Sequence, residues 1–194
     1  MDRQSGEDLL KRALGNSGAK FREGQWEAID ALVNQKQKLM VVQRTGWGKS
    51  SVYFITTRIL RDTGNGPTLI VSPLLALMRN QIDAAEKLEI KAETINSSNQ
   101  DEWDEIKESI LSDEIDALLI SPERFSNENF IEEFLQPISG RIGLFVVDEA
   151  HCISDWGHDF RPDYRRLVNI LNQLPPNMPL LATTATANDR VLED

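Results

Sequence analysis

The chain has 194 residues, 40% of them hydrophobic, with 31 acidic against 21 basic side chains and a formal charge of −10. That length and apolar fraction suit one globular domain with its own core and exclude a disordered chain or a mini-protein. A lone cysteine, Cys152, forms no internal disulfide, and with two histidines it cannot complete a four-ligand zinc cluster, so no zinc is expected. No apolar run approaches the ~20 residues of a membrane span, and the polar start Met1-Asp2-Arg3-Gln4 is no signal peptide; a cytoplasmic protein without membrane contacts is expected. The negative charge confines any nucleic-acid contact to local patches. Fifteen acids lie between Glu86 and Glu133, opposed only by Lys87, Lys91, Lys107 and Arg124. They read as solvated helix faces in preference to an acidic partner site.

In chain order, a helical extension is expected over residues 1–20, then a helix over 25–34 and a strand over 39–42. A helix over 49–61 follows. The Gly-Asn-Gly-Pro turn at 64–67 precedes a strand at 68–72. Helices at 74–88, 100–111 and 127–135 then alternate with strands at 92–95, 117–121 and 144–147, and a last helix at 164–174 leads into a strand at 180–183. Strand-length apolar runs between helical stretches give an α/β fold, a mostly parallel sheet with helices on both faces. Ligands in such sheets sit beyond the carboxyl ends of the strands.

The strand ending at Val42 is followed by Gln43-Arg44-Thr45-Gly46-Trp47-Gly48-Lys49-Ser50 and a helix. This is a P-loop NTPase pattern in which Gln43 replaces the first glycine. Thr45, Gly46, Trp47, Gly48, Lys49, Ser50 and Ser51 supply what phosphates need. Backbone N–H groups close around the oxygens, the helix N-terminus adds positive potential, Lys49 reaches the phosphates, and Ser50 offers a ligand to Mg²⁺. The competing reading is a glycine-rich turn capped by Ser50, and the strand-loop-helix context favours the nucleotide.

Phe145-Val146-Val147-Asp148-Glu149-Ala150-His151 places two acids after another buried strand. Asp148 is suited to hold Mg²⁺, and Glu149 to polarise the attacking water. A pair of exposed acids at a strand end is the alternative. The Gly-Lys-Ser loop and the Asp-Glu pair support each other, and together they specify an NTPase.

Asp148-Glu149-Ala150-His151 after Gly46-x-Gly48-Lys49-Ser50 resembles the DEAH-box motors of helicase superfamily 2. The run from Cys152 to Tyr164, Cys-Ile-Ser-Asp-Trp-Gly-His-Asp-Phe-Arg-Pro-Asp-Tyr, resembles the aromatic-rich loop of RecQ DNA helicases. Phe21-Arg22-Glu23-Gly24-Gln25 is similar to that family's adenine motif, Ser72-Pro73-Leu74 through Gln81 to its motif Ia, Ser121-Pro122-Glu123-Arg124 to a DNA-side block, and Thr183-Thr184-Ala185-Thr186-Ala187 to motif III.

The resemblance implies a RecA-like ATP-binding domain over 21–194 of a DNA helicase, with 3′-to-5′ polarity and ATP and Mg²⁺ as cofactors. It implies that Gln25 hydrogen-bonds adenine beside Arg22, and that His151 belongs to the catalytic group with Lys49, Asp148 and Glu149. Trp156, His158, Phe160 and Arg161 would sense single-stranded DNA, with Arg79 as a phosphate contact, and Thr184 with Thr186 would couple nucleotide state to domain movement. The partners implied are DNA and a second RecA-like domain of the same parent chain, absent here, so that this chain alone would be nearly inactive. Taken without the resemblance, Trp156 and Phe160 are equally well core aromatics, His158 and His151 structural histidines, and Arg79 half of a surface ion pair. Tyr164, Trp26 and Trp103 read as packing.

Three positions depart from the family pattern. Gly18 stands where many members carry an aromatic residue that stacks on the base, leaving that role to Arg22. Arg44 and Trp47 replace a proline and a glycine, and Trp47 is expected to face outward. An RNA-directed motor and a non-catalytic ATP-gated binding module are the alternatives. The loop from Trp156 to Tyr164 disfavours the first, and intact Lys49, Asp148 and Glu149 disfavour the second.

Overall fold

The structure, a computed structural model, describes residues 1–73, 79–150 and 169–185, with the side chains of 79–81 excepted. Six strands, β1 (Lys38–Val42), β2 (Thr68–Val71), β3 (Ala92–Ile95), β4 (Ala117–Ile120), β5 (Leu144–Val147) and β6 (Leu180–Thr184), form one sheet in the order β1-β6-β5-β2-β4-β3. Every neighbouring pair is parallel. The expected strands are all present, displaced at their ends by no more than one residue.

Because side chains alternate along a strand, the sheet feeds two cores. Ile70, Leu119, Leu144, Val146 and Leu181 face α1 (Arg3–Leu14), α2 (Gln25–Val33), α3 (Lys49–Asp62) and α4 (Arg79–Lys87). Leu69, Val71, Leu118, Ile120, Phe145 and Val147 face α5 (Trp103–Leu111), the wide π-type turn Phe130–Leu135 with its continuation α6 (Gln136–Ser139), and the helical residues 169–173. The central strands β2, β4 and β5 are buried at every position, as a sheet covered on both faces requires.

Helix α1 is stopped at both ends by its own sequence. The Asp2 carboxylate accepts from the Ser5 N–H at 2.9 Å, and Gly15 turns left-handed at φ 61 while Lys11 and Arg12 complement the helix dipole. It seats against α2 through Gly6, where a Cβ would stand 2.6 Å from Cζ3 of Trp26. Trp26 in turn lies 5.8 Å from the Phe21 ring, so it packs as expected. Trp103 packs too, edge-on to Phe130 at 5.3 Å with the Arg124 guanidinium 5.8 Å from its ring.

The expected helix at 100–111 is a short 3₁₀ turn, Gln100–Glu102, followed by α5, and the one at 127–135 is the π-type turn. The described parts of the expected helices at 74–88 and 164–174 are α4 and residues 169–173; the remainder lies outside the described residues. No described helix is long and apolar enough to cross a membrane.

Away from the strand ends that carry the motifs, the fold is pinned by two dense contacts. Arg61 at the end of α3 donates from Nε to Asp116 at 2.7 Å and from Nη1 to Asp113 at 2.6 Å, while Asp116 also accepts the Lys91 N–H at 2.9 Å. At the starts of β2 and β5 the backbones of Gly66 and Gly143 cross. A Cβ on Gly66 would lie 1.6 Å from the Arg141 carbonyl oxygen, so no larger residue fits without displacing the chain.

Candidate nucleotide-binding site

The carboxyl ends of β1, β6 and β5 lie side by side, and the two motifs leave from the outer pair. Strands spaced ~4.8 Å apart put the phosphate loop after β1 about 10 Å from the acid pair after β5, with β6 between them.

The loop is tied down at its root, where the Gln43 N–H donates to the Thr184 carbonyl at 3.0 Å. Gly46 and Gly48 hold φ of 84 and 96, a region that side-chain-bearing residues rarely enter. Gly48 caps α3, whose first turn carries no acid, so its N-terminal N–H groups keep their positive potential. Thr45 and Gly46 are exposed, and Lys49, Ser50 and Ser51 are half-buried. The Lys49 amine bends back to the Gln43 carbonyl. An open left-handed loop at a helix start without an acid in its first turn, with a lysine that among the described residues meets a carbonyl of its own loop, fits a phosphate group.

Trp47 is not outward-facing. It is 8% exposed and belongs to the same core cluster as Phe21, Ala28 and Leu32, its indole Nε1 donates to the Glu23 carbonyl at 3.2 Å, and its φ is not positive, so the loop is unstrained there. The inward position of the indole has a physical cause. The turn before α2 offers the indole a carbonyl and an apolar bed, and solvent offers only the carbonyl's equivalent.

The same turn carries Arg22 and Gln25. Arg22 donates from Nη1 to the Gly46 carbonyl, and Gln25, 4% exposed, donates from Nε2 to the Trp47 carbonyl at 2.8 Å while its Oε1 accepts the Arg22 N–H at 2.9 Å. Gly48 sits so close that a Cβ there would be 2.6 Å from Gln25 Nε2.

On β5 the acid pair is held from both sides. The Asp148 N–H donates to Val71 on β2 at 2.8 Å, and its Oδ1 accepts from the Thr183 hydroxyl on β6 at 2.7 Å and from the Glu149 N–H at 3.1 Å. The Ala150 N–H then closes onto the Thr183 carbonyl at 2.8 Å. Glu149 turns left-handed, φ 55, which reverses the chain directly after the strand. Beneath it Tyr53 of α3 is fully buried; burial, reinforced by the Asp148 and Glu149 charges, holds its hydroxyl pKa well above the usual range.

The structure therefore brings Arg22, Gln25, Thr45, Gly46, Trp47, Gly48, Lys49, Ser50 and Ser51 together around one loop, with Asp148, Glu149 and Thr184 at the neighbouring strand ends. Arg79 opens α4. His151, Trp156, His158, Phe160, Arg161 and Thr186 lie outside the described residues. Sequence reasoning gives Thr183 and Gln43 a place in motifs but no contact of their own, and it does not single out Tyr53. Thr183 carried a usable signal, a hydroxyl at an inward position of a buried strand that must find a partner.

Residues 22–194 match the family model of the DEAD/DEAH box helicases. The chain is 39% identical over 177 residues to the ATP-dependent DNA helicase RecQ of Bacillus subtilis, covering 90% of this chain and 29% of that protein. It is 37% identical over 188 residues to the RecQ helicase of Haemophilus influenzae, covering 96% of this chain and 28% of that protein, and 34% identical to the ATP-dependent helicase SGS1 of Saccharomyces cerevisiae, covering 90% and 12%. The chain thus spans under a third of the length of these relatives. With its glycine-lysine-serine loop and its Asp-Glu pair at the carboxyl ends of the two strands that flank β6, the chain belongs to the DEAD/DEAH box helicase family and is similar within it to the RecQ helicases.

Proposed function

We propose that this chain is the ATP-binding half of a RecQ-like, 3′-to-5′ ATP-dependent DNA helicase. The observation that carries the reading is the bracket at the carboxyl end of β6. Thr184 holds the root of the phosphate loop and Thr183 holds Asp148, so the phosphate-binding and acidic parts are one preorganised unit.

In this reading α3 directs its N–H groups and the Lys49 amine at the phosphates, exchanging the Gln43 carbonyl for a phosphate oxygen. Ser50 and Asp148 would hold a Mg²⁺ ion, which supplies charge neutralisation at the phosphates. Glu149, placed by its left-handed backbone just past the strand, accepts a proton from the attacking water and orients it. Arg22 and Gln25 bind the adenine. His151 stands with the catalytic group, and Thr184 and Thr186 relay nucleotide state to the parent's second RecA-like domain. That domain would supply the arginine that stabilises the transferring phosphoryl group, worth about 10³–10⁵ in rate in related NTPases. Trp156, His158, Phe160 and Arg161, with Arg79, contact single-stranded DNA through stacking and charge, a mode indifferent to base sequence.

Replacing Glu149 by Gln in the complete protein separates binding from chemistry. Turnover is expected to fall about 10²–10⁴-fold while ATP affinity stays within a few-fold, read by steady-state hydrolysis and by calorimetric titration. Unchanged turnover would remove Glu149 from the chemistry and with it this assignment.

A further inference from the structure

We infer that Trp47 sets the base preference of the site by locking the orientation of the Gln25 amide; the inference rests on the nucleotide reading above and adds a residue to it. Three contacts cross between the turn at residues 22–25 and the loop at 46–47. They are the Arg22 guanidinium on the Gly46 carbonyl, the Gln25 amide on the Trp47 carbonyl at 2.8 Å, and the Trp47 indole N–H on the Glu23 carbonyl at 3.2 Å. The last two close a ring. Gln25 holds the Trp47 backbone, and the Trp47 side chain holds the backbone two residues before Gln25. The indole also lies over Gly24, its Cζ2 3.5 Å from where a Cβ would be, at a left-handed φ of 83 that starts α2. Only 8% of Trp47 and 4% of Gln25 are exposed; the contact of the Gln25 amide with the Trp47 carbonyl is buried from water, and the indole contact with the exposed Glu23 is partly buried.

The consequence is chemical. With Oε1 committed to the Arg22 N–H and Nε2 committed to the Trp47 carbonyl, the amide cannot turn over, and it keeps one N–H and one oxygen lone pair in a fixed order. That order, acceptor beside donor, complements the N6–H and N7 edge of adenine. Guanine presents two acceptors, O6 and N7, on the same edge, and the locked oxygen opposes O6. An amide released from the Trp47 carbonyl can rotate and offer both of its N–H groups to guanine, so discrimination falls when the lock is loosened. Trp47 acts here through Gln25 and is a positioning residue for specificity. Because its backbone belongs to the phosphate loop, base identity and loop position are set by the same ring of contacts.

The test measures ADP and GDP affinity of the 194-residue chain by calorimetry, for the unmodified chain, Trp47→Gly and Trp47→Phe. The unmodified chain should prefer ADP. Trp47→Gly should lower the ADP-to-GDP affinity ratio by about tenfold, and Trp47→Phe, which keeps a ring and loses the N–H donor, by about threefold to fivefold. The ratio is the informative readout, since a merely structural loss weakens both nucleotides equally. A ratio unchanged in Trp47→Phe overturns the inference, including where Trp47→Gly fails to fold, and so does an unmodified chain that binds the two nucleotides equally; in both cases the nucleotide site stands. An unmodified chain that binds neither nucleotide overturns the site and the inference together.

Discussion

Thr183 shows how little of the site's geometry is decided by the residues to which its chemistry is assigned. Thr183 touches no substrate in the proposed mechanism, yet its hydroxyl and its carbonyl fix the position of Asp148 and of the turn that follows. A hydrogen bond to a charged carboxylate contributes more than a neutral one, and Asp148 is only half-buried, so water replaces part of it when the hydroxyl is lost. Thr183→Val, which keeps the shape, should therefore lower the unfolding free energy by about 1–2 kcal/mol in a denaturant titration and weaken Mg²⁺-dependent nucleotide binding. An unchanged midpoint would show that the contact carries no stability. The placement of Lys49 and Ser50 at the start of the helix after β1, and of Asp148 and Glu149 just past β5, was legible because glycine-flanked and acidic residues following apolar strands mark strand ends. Trp47 was not, because the carbonyl that draws its indole inward lies 24 residues away in sequence and no local pattern announces it.

At the scale of elements, the strands were legible to within a residue and the helices less so, for different reasons. A strand buried on both faces, such as Leu-Phe-Val-Val at 144–147, is bounded by the polar residues that end it. The stretch at 127–135 has helical spacing but winds as a π-type turn over Phe130–Leu135, with Phe130 and Phe134 stacked 5.1 Å apart. That winding answers to the aromatic cluster with Trp103 and Phe125, which spacing within the segment does not reveal. Glycine likewise has an invisible role where two segments cross. Gly66→Ala should cost about 3 kcal/mol or more in thermal or denaturant unfolding, since the new methyl would meet the Arg141 carbonyl 1.6 Å away and backbone has to move. A variant as stable as the original would mean that the crossing has slack the structure does not show.

For the whole molecule, the sheet order explains why separate motifs act together. Running β1-β6-β5, it sets the phosphate loop and the acid pair on either side of one strand whose end contacts both. Any shift of β6 is thereby transmitted to the loop and to Asp148, which is a physical basis for the coupling proposed for Thr184. The net charge of −10 does not oppose the proposed DNA-directed motor, because many of the acids are concentrated at exposed positions such as Asp101, Glu102, Asp104 and Glu105 on the α5 side of the sheet. We propose that the parent protein uses this chain's nucleotide site to move on DNA, and ATP hydrolysis by the complete protein tests that most directly, measured without nucleic acid, with single-stranded DNA, and with RNA of the same sequence. Strong stimulation by DNA alone is the predicted result. Stimulation by RNA, or by neither, would contradict the DNA assignment while leaving the nucleotide site in place.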